Sequence, residues 1–441
     1  MEGKMAETSI SDNVSTKLQR IAQLAREDPK RKLLSLAYHI DIEFLREAFR
    51  RTRKDGALGV DGRTATEYAA DLEANLESLL NRFKSGRYYA PPVRRTYIPK
   101  GDGRTKRPIG IPTIEDKVLQ RAVVMVLEAV YEQDFLDCSH GFRPGRSARG
   151  ALRALRQGLM SMGGGWVLEL DIKSFFDTVD HRRLRSFLDR RVRDGVLRRS
   201  IDKWLAAGVL EKGSVSHPDT GTPQGGVISP LLANIYLHEV LDTWFEGEVK
   251  GRLVGRAFLI RYADDAVLVF SNEADARQVH ALLIERFEQH GLSLHPTKTR
   301  LVQFHPRRPG DGRGGGSRGF DFLGFTHHWA RSRRNKWVVK RKTASSRMDR
   351  TLRRLTRWCR RYRHEPVDWQ HAQLVRALRG HDNYYGYAEN IHALKHLRYW
   401  VTRIWKKWLM RRTRRSGLNW ERFNRLLRRY PLPPPRVHVV A

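Results

Sequence analysis

Three aspartates are delivered by apolar segments. Asp171 follows the run WVLEL, and Asp264 and Asp265 lie in the middle of FLIRYADDAVLVF (258–270). A carboxylate at the end of an apolar strand is short of water and needs a cation as partner. Nucleotidyl transfer uses such groups, because two magnesium ions about 4 Å apart activate an attacking oxygen and stabilise the leaving group. Magnesium takes hard oxygen ligands, commonly one or two carboxylates together with substrate phosphates. Taken alone, YADD reads equally well as an acidic β-turn.

The elements around these acids set their positions. WVLELDI (166–172) reads as a buried strand, and the two apolar halves of 258–270 read as a hairpin with the acids at its bend. Residues 95–112 read as another hairpin, turning at Gly101-Asp102-Gly103. Thr113 with Asp116 resembles a capping box opening a helix to about Tyr131. Ser229-Pro230 is a helix start. A further helix is expected from about Asn272 to His290, with Val279, Leu282, Leu283, Arg286 and Phe287 on one side and Gly291 as its stop. Residues 1–90 read as mostly helical from spacings such as Leu33, Leu34, Ala37 and Tyr38, interrupted by a turn at 59–62. Residues 305–319 are a Gly- and Arg-rich loop or linker.

Charge narrows the partners. The chain of 441 residues carries 83 Lys and Arg against 48 Asp and Glu, a formal +35. Such an excess repels itself and fits the neutralisation of a polyanion. Between Arg331 and Tyr430 there are 30 basic and six acidic residues, so the last quarter holds the main electrostatic footprint for nucleic acid. Aromatics at 10% indicate a folded machine. No apolar run approaches membrane-spanning length, and the polar start MEGKMAETSISDN lacks a secretion signal. Cys138 and Cys359 cannot build a disulfide framework or a multi-cysteine zinc site. A bacterial cytoplasmic protein, nucleoid-associated when on target DNA, is expected.

The ordered set RTYIPKGDGRTKRPIGIPT, HGFRPGRSARGAL, ELDIKSFFDTVDH, GTPQGGVISPLLANIYL, RYADDAVLVF, GLSLHPTKTRLV and FDFLGF resembles the successive motifs of reverse transcriptases, specifically those encoded by bacterial group II introns. The likeness covers roughly 90–330, and LRGHDNYYGYAE (378–389) resembles the maturase or thumb region of the same family. It implies an α+β right-hand polymerase, with an antiparallel palm sheet and fingers followed by a helical thumb. The divisions expected are 1–90, a helical extension and start of the fingers; 91–330, fingers and palm; 331–410, a basic thumb or maturase domain; and 411–441, a short nucleic-acid-binding segment.

The resemblance also implies roles. Asp171 and Asp264 would be the main ligands of two Mg2+ ions, with Asp265 completing the acidic cluster. Phe176 would lie beneath the incoming sugar and exclude a 2′-hydroxyl, with Phe175 as competitor because neighbouring strand residues face opposite ways. Lys100 and Arg107 match the finger cations on the triphosphate; one extra residue between them leaves Arg104 as an alternative to Arg107. Gln224 would pack on the nucleotide, and Gly225 and Gly226 would let the backbone approach the template-primer. Lys298 would support the local electrostatics. Phe322, Leu323 and Gly324 resemble the primer grip, or equally a core strand. His327-His328 has no acidic or cysteine company and reads as surface.

In the basic third, Met348, Leu352, Leu355 and Cys359 share one helical face, with Arg347, Arg350, Arg354 and Arg357 on the others. An RNA-binding surface is the expected use, reading A-form shape through phosphates and 2′-hydroxyls. Leu397, Trp400, Val401, Ile404, Trp405 and Trp408 make an apolar stripe, and aromatics such as Tyr384, Tyr385 and Tyr387 at this spacing are more often core than stacking platforms. The partners implied are intron RNA, an RNA template, a DNA primer or target and dNTPs, with no membrane; a homodimer is allowed. The tail RLLRRYPLPPPRVHVVA lacks the cysteine pairs of an endonuclease module and resembles endonuclease-lacking members. Two alternatives stand beside the intron reverse transcriptase: a host-adopted polymerase in defence or DNA repair, and an RNA-binding splicing cofactor without polymerisation.

Overall fold

Strand runs rich in Val, Leu, Ile and Phe pair as period-two patterning demands, and helices fill the intervals. The computed structural model describes residues 2–99, 105–211, 214–216, 221, 225–306, 319–412 and 417–438. In chain order the strands are β1 (Val93–Pro99), β2 (Lys106–Ile111), β3 (Gly165–Leu170), β4 (Val209–Glu211), β5 (Ser214–Ser216), β6 (Ala257–Tyr262), β7 (Asp265–Phe270), β8 (Arg300–Phe304), β9 (Phe320–Phe322), β10 (Phe325–Arg331) and β11 (Trp337–Thr343). The α-helices are α1 (Glu2–Glu27), α2 (Ile42–Arg51), α3 (Ala65–Ala70), α4 (Leu72–Lys84), α5 (Ile114–Tyr131), α6 (Ala148–Met162), α7 (Phe175–Thr178), α8 (His181–Leu188), α9 (Gly195–Leu205), α10 (Ser229–Leu237), α11 (Glu273–Gln289), α12 (Ser345–Arg361), α13 (Val367–Tyr385), α14 (Ile391–Met410) and α15 (Trp420–Arg429). Helices and largely antiparallel sheets alternate along the chain, an α+β fold.

Two compact units divide the chain: residues 1–158 with 166–301, and 159–165 with 302–441. The compositional boundary expected at 330/331 does not coincide with this one. β9 and β10 hydrogen-bond in one sheet with β11, in the order β11-β10-β9, so the strands after residue 319 join the second unit. Nor do residues 1–90 stand apart, since Phe44, Leu45, Leu76 and Leu79 share a core with α5.

Within the first unit, one sheet runs β6-β7-β3. β6 and β7 form the expected hairpin, with Tyr262 opposite Asp265, and β7 pairs antiparallel with β3, with Leu170 opposite Ala266. A second sheet, β2-β1-β4-β5, contains the 95–112 hairpin; Ile98 lies opposite Arg107, and its turn falls outside the described residues. α5 begins as expected: the Thr113 hydroxyl accepts from the Asp116 amide. The Asp116 carboxylate does not complete a capping box. It accepts instead from Tyr88, from Trp204 Nε1 at 2.7 Å and from Gln120 Nε2 at 3.1 Å, and Gln120 Oε1 in turn accepts from the Val227 amide at 2.8 Å. This buried network ties α5 to the start of α10.

Local differences from the sequence reading have simple causes. Leu34 and Tyr38 are exposed, because residues 28–41 hold only a single 3-10 turn and offer no continuous helical face. Leu282 is also on the outside of α11, while Val279, Leu283 and Phe287 are buried. The helix α10 continues through wide i→i+5 turns from His238 to Val249, which rotates Asp242 into the core. No helix among the described residues is long and apolar enough to cross a membrane.

Candidate active site

Asp171 follows β3 directly, and Asp264 sits in the turn between β6 and β7, so adjacent strands carry both acids to the same sheet end. Burial pushes the Asp264 carboxyl above the ordinary carboxylate value; the Asp171 charge adds to this, while Arg107, Arg261 and its own backbone hydrogen bond oppose it. Asp264 makes no ion pair among the described residues. Asp171 is held by the segment after α11: its carbonyl accepts from the His295 amide at 2.7 Å, and Lys298 Nζ lies 3.3 Å from its Oδ2. Two carboxylates, close enough to feel one another and without a buried cation of their own, suit a hard divalent ion completed by substrate phosphates. Asp265 is exposed at the start of β7, and the described residues do not gather three ligand-type side chains into one cluster.

Behind this turn lies a support that sequence reading missed. Arg261, the last residue but one of β6, is wholly buried against Asp242, at 2.7 Å from Nε to Oδ1 and 2.5 Å from Nη2 to Oδ2. Its other protons go to Asn234 Oδ1 (2.9 Å), Ser139 Oγ (2.8 Å) and the Ala263 carbonyl (3.1 Å). All five guanidinium donors are used. Ala263 has φ +55°, a conformation costly for a residue with a Cβ, and Asp264 follows it. Gly141 backs the same turn: a Cβ there would fall 2.3 Å from the Ala263 amide nitrogen. The signal was available, since an arginine inside the apolar run FLIRY needs a buried counter-ion.

Phe175 and Phe176 differ in burial. A left-handed turn at Ser174 (φ +49°) starts α7; Phe175 is 2% exposed and packs on Tyr236, whereas Phe176 is only partly covered. Arg107 is exposed on β2 and its charge reaches Asp264. Lys100, Arg104 and Gln224 lie outside the described residues. Gly225 (φ +113°) is pressed against protein: a Cβ would meet the Gly110 carbonyl oxygen at 2.5 Å and Ile109 at 2.6 Å. Gly226 lines a small internal cavity beside Asp116, Gln120 and Ser229. Phe142, 55% exposed with φ +54°, tilts against Tyr262 at 6.2 Å.

In the second unit, Leu323 and Gly324 form a tight turn with φ +47° and +81° between β9 and β10, and Phe322 is buried beneath it. The expectation of a surface His pair is corrected at His327. Alternation along β10 sends its ring into the core, stacked 4.9 Å from Phe320, and burial lowers it to about 3. The face of α12 reads as expected, with Met348, Leu355 and Cys359 buried and Arg347, Arg350, Arg354 and Arg357 exposed. The segment 378–390 is structural: His381, Asp382, Tyr387 and Asn390 are buried, Asp382 pairs with Arg398, and Asn390 Oδ1 accepts from the Thr343 amide at 2.8 Å. Trp400 leaves the expected apolar stripe and is exposed, while Lys406 is buried.

Paired carboxylates at the end of an antiparallel sheet, with the Arg107 charge reaching one of them from a second sheet, are groups of the kind that suit phosphoryl transfer in class. Residues 98–327 match the family described as reverse transcriptase (RNA-dependent DNA polymerase). Protein YkfC of Escherichia coli (strain K12) is 37% identical over 290 residues, covering 58% of this chain and 75% of that protein. Group II intron-encoded protein LtrA of Lactococcus lactis subsp. cremoris is 45% identical over 169 residues, 38% of this chain but only 28% of LtrA. Nuclear intron maturase 4, mitochondrial, of Arabidopsis thaliana is 28% identical over 153 residues, 34% of this chain and 19% of its own length. The chain belongs to the reverse transcriptase family and is an RNA-directed DNA polymerase.

Proposed function

We propose that this polymerase extends a DNA primer on an RNA template at the Asp171–Asp264 end of the β3/β6/β7 sheet, and that it binds a group II intron RNA to assist splicing and retrohoming. The observation that carries the first half is the placement of two interacting carboxylates on neighbouring strands, one raised by burial and left without an internal cation. Two Mg2+ ions bound there would supply Lewis-acid activation of the primer 3′-hydroxyl and charge neutralisation on the departing pyrophosphate.

The chain's own groups do the rest. Asp171 and Asp264 present oxygens, Asp265 adds charge at the rim, and Lys298 holds Asp171 in position. Arg107, together with Lys100, binds the dNTP triphosphate, where fixed cations offset developing charge. Phe176 supplies the ring that a ribose 2′-hydroxyl would strike; its partial exposure supports it over the buried Phe175. Gln224 packs on the nucleotide. Leu323 and Gly324, at the tip of the β9–β10 turn, contact the primer, with Phe322 as their buried base. The intron reading rests on the names of the relatives and on the exposed arginines of α12, Arg347, Arg350, Arg354 and Arg357, which suit a phosphate surface.

The test is cDNA synthesis on a primed RNA template with magnesium. Asp264→Asn is expected to abolish extension while RNA binding is retained. Extension by that variant at the wild-type rate would overturn the assignment. For the second half, RNA that co-purifies with the protein should contain a group II intron whose splicing the protein accelerates.

A further inference from the structure

Away from the polymerase site, the last turns of α14 and the first turn of α15 enclose a groove of about 340 Å3 lined by Arg403, Lys406, Lys407, Met410, Arg411 and Trp420. Four of the six are cations, and none is an acid. Glu421 is the nearest acid in sequence and pairs instead with Arg425 at 3.4 Å.

Lys406 is the informative member. It is 8% exposed, yet its ammonium has no carboxylate partner among the described residues; Nζ contacts the Met410 sulfur at 3.1 Å and the face of Trp420 at 4.7 Å. A thioether is a weak acceptor, so the Lys406 ammonium keeps donor capacity for an anion entering the groove. Trp420 supplies the other half of a recognition surface. Its ring is 44% exposed, sits edge-on to buried Phe423 at 5.9 Å and has Arg403 5.6 Å from its centroid. An aromatic face flanked by cations binds a nucleobase by stacking and its phosphate by charge. The space available fits a group with a ring system, where a bare oxyanion would leave the tryptophan uncovered.

We propose that this groove captures one unstacked nucleotide of single-stranded RNA, its base on Trp420 and its phosphate on Lys406 with Arg403, Lys407 and Arg411 around it. This deepens the RNA-binding reading above and rests on it. The groove favours single strands because a base inside a duplex has no free face to offer.

The test uses the full chain without dNTPs and two probes: a short single-stranded RNA with a central 2-aminopurine, and a blunt RNA duplex with the same number of phosphates. Binding of the single strand should quench the probe. Trp420→Ala should weaken single-strand binding about tenfold and reduce quenching, with duplex binding unchanged. Trp420→Phe, which keeps a ring against Phe423, should retain most of the affinity. Lys406→Gln should lower the slope of log affinity against log salt by about one. Equal loss on strand and duplex with Trp420→Ala, or no loss on either, overturns the groove while RNA binding itself stands. Failure of the wild-type chain to bind either RNA overturns the groove together with the reading beneath it.

Discussion

Arg261 and Asp242 meet with neither side chain open to solvent, and the same guanidinium holds the carbonyl of Ala263, the residue before Asp264. The turn that carries Asp264 therefore has its geometry set from behind, by a charge pair sealed in the core. Removing one partner of such a pair costs about 3–5 kcal/mol, because the other charge is left buried and alone. Arg261→Met should lose that much in a urea melt and nearly all primer extension. The double variant Arg261→Met with Asp242→Leu should regain much of the stability but not the activity, since the Ala263 carbonyl remains unheld. Wild-type extension by the double variant would show that contact to be idle.

Sugar discrimination separates the two phenylalanines. Phe176→Ala should raise ribonucleotide incorporation roughly tenfold or more relative to dNTP, with little change in folding. Phe175→Ala should instead cost about 3–5 kcal/mol of stability, as the loss of a buried ring does. If selectivity follows Phe175, the wrong ring has been placed beneath the sugar.

The acid side of the rate profile should respond to Arg107. Asp264 must be ionised to hold a cation, and its pKa lies above the ordinary value through burial, with Arg107 pulling it back down. Taking that charge away raises the pKa further, so Arg107→Gln should move the acid limb of kcat to higher pH. A limb that does not move would mean that Arg107 acts on the triphosphate alone.

Stability carries its own pH signature at Asp116. Burial raises this carboxyl from 3.8 to about 6, although Tyr88, Trp204 and Gln120 all donate to it. The folded chain thus keeps a proton that the unfolded chain releases. The stabilisation is complete below the unfolded value and lost as pH rises through about 6, roughly 3 kcal/mol in all. Asp116→Asn cannot titrate, so the difference between wild-type and variant melts should fall across that window. A constant difference would assign the proton elsewhere.

The β6–β7 hairpin was legible because its apolar halves bracket the acids, while its register, Tyr262 against Asp265, came from the structure. The exposed arginines of α12 followed equally from helical spacing. Other features depend on contacts that local pattern does not encode. Asp242 reaches Arg261 only because the helix after α10 widens its turns, and nothing in HEVLD announces that. The two histidines of β10 had to face opposite ways by strand alternation, so one was bound for the interior even though neither had a ligand-like neighbour. Lys406 sits in the basic stretch Trp405-Lys406-Lys407 of α14, and its low exposure comes from tertiary packing, with Trp420 of α15 near its ammonium.

Gly225 has a practical bearing on engineering. Its missing side chain leaves room for the Gly110 carbonyl and for Ile109, so the loop ahead of α10 and the strand that carries Arg107 rest directly on one another. Diversification aimed at processivity or substrate range would gain nothing from randomising position 225, since any larger residue wedges the two apart. Phe142, open to solvent and leaning on Tyr262, is where new side chains could be tried without unseating that junction.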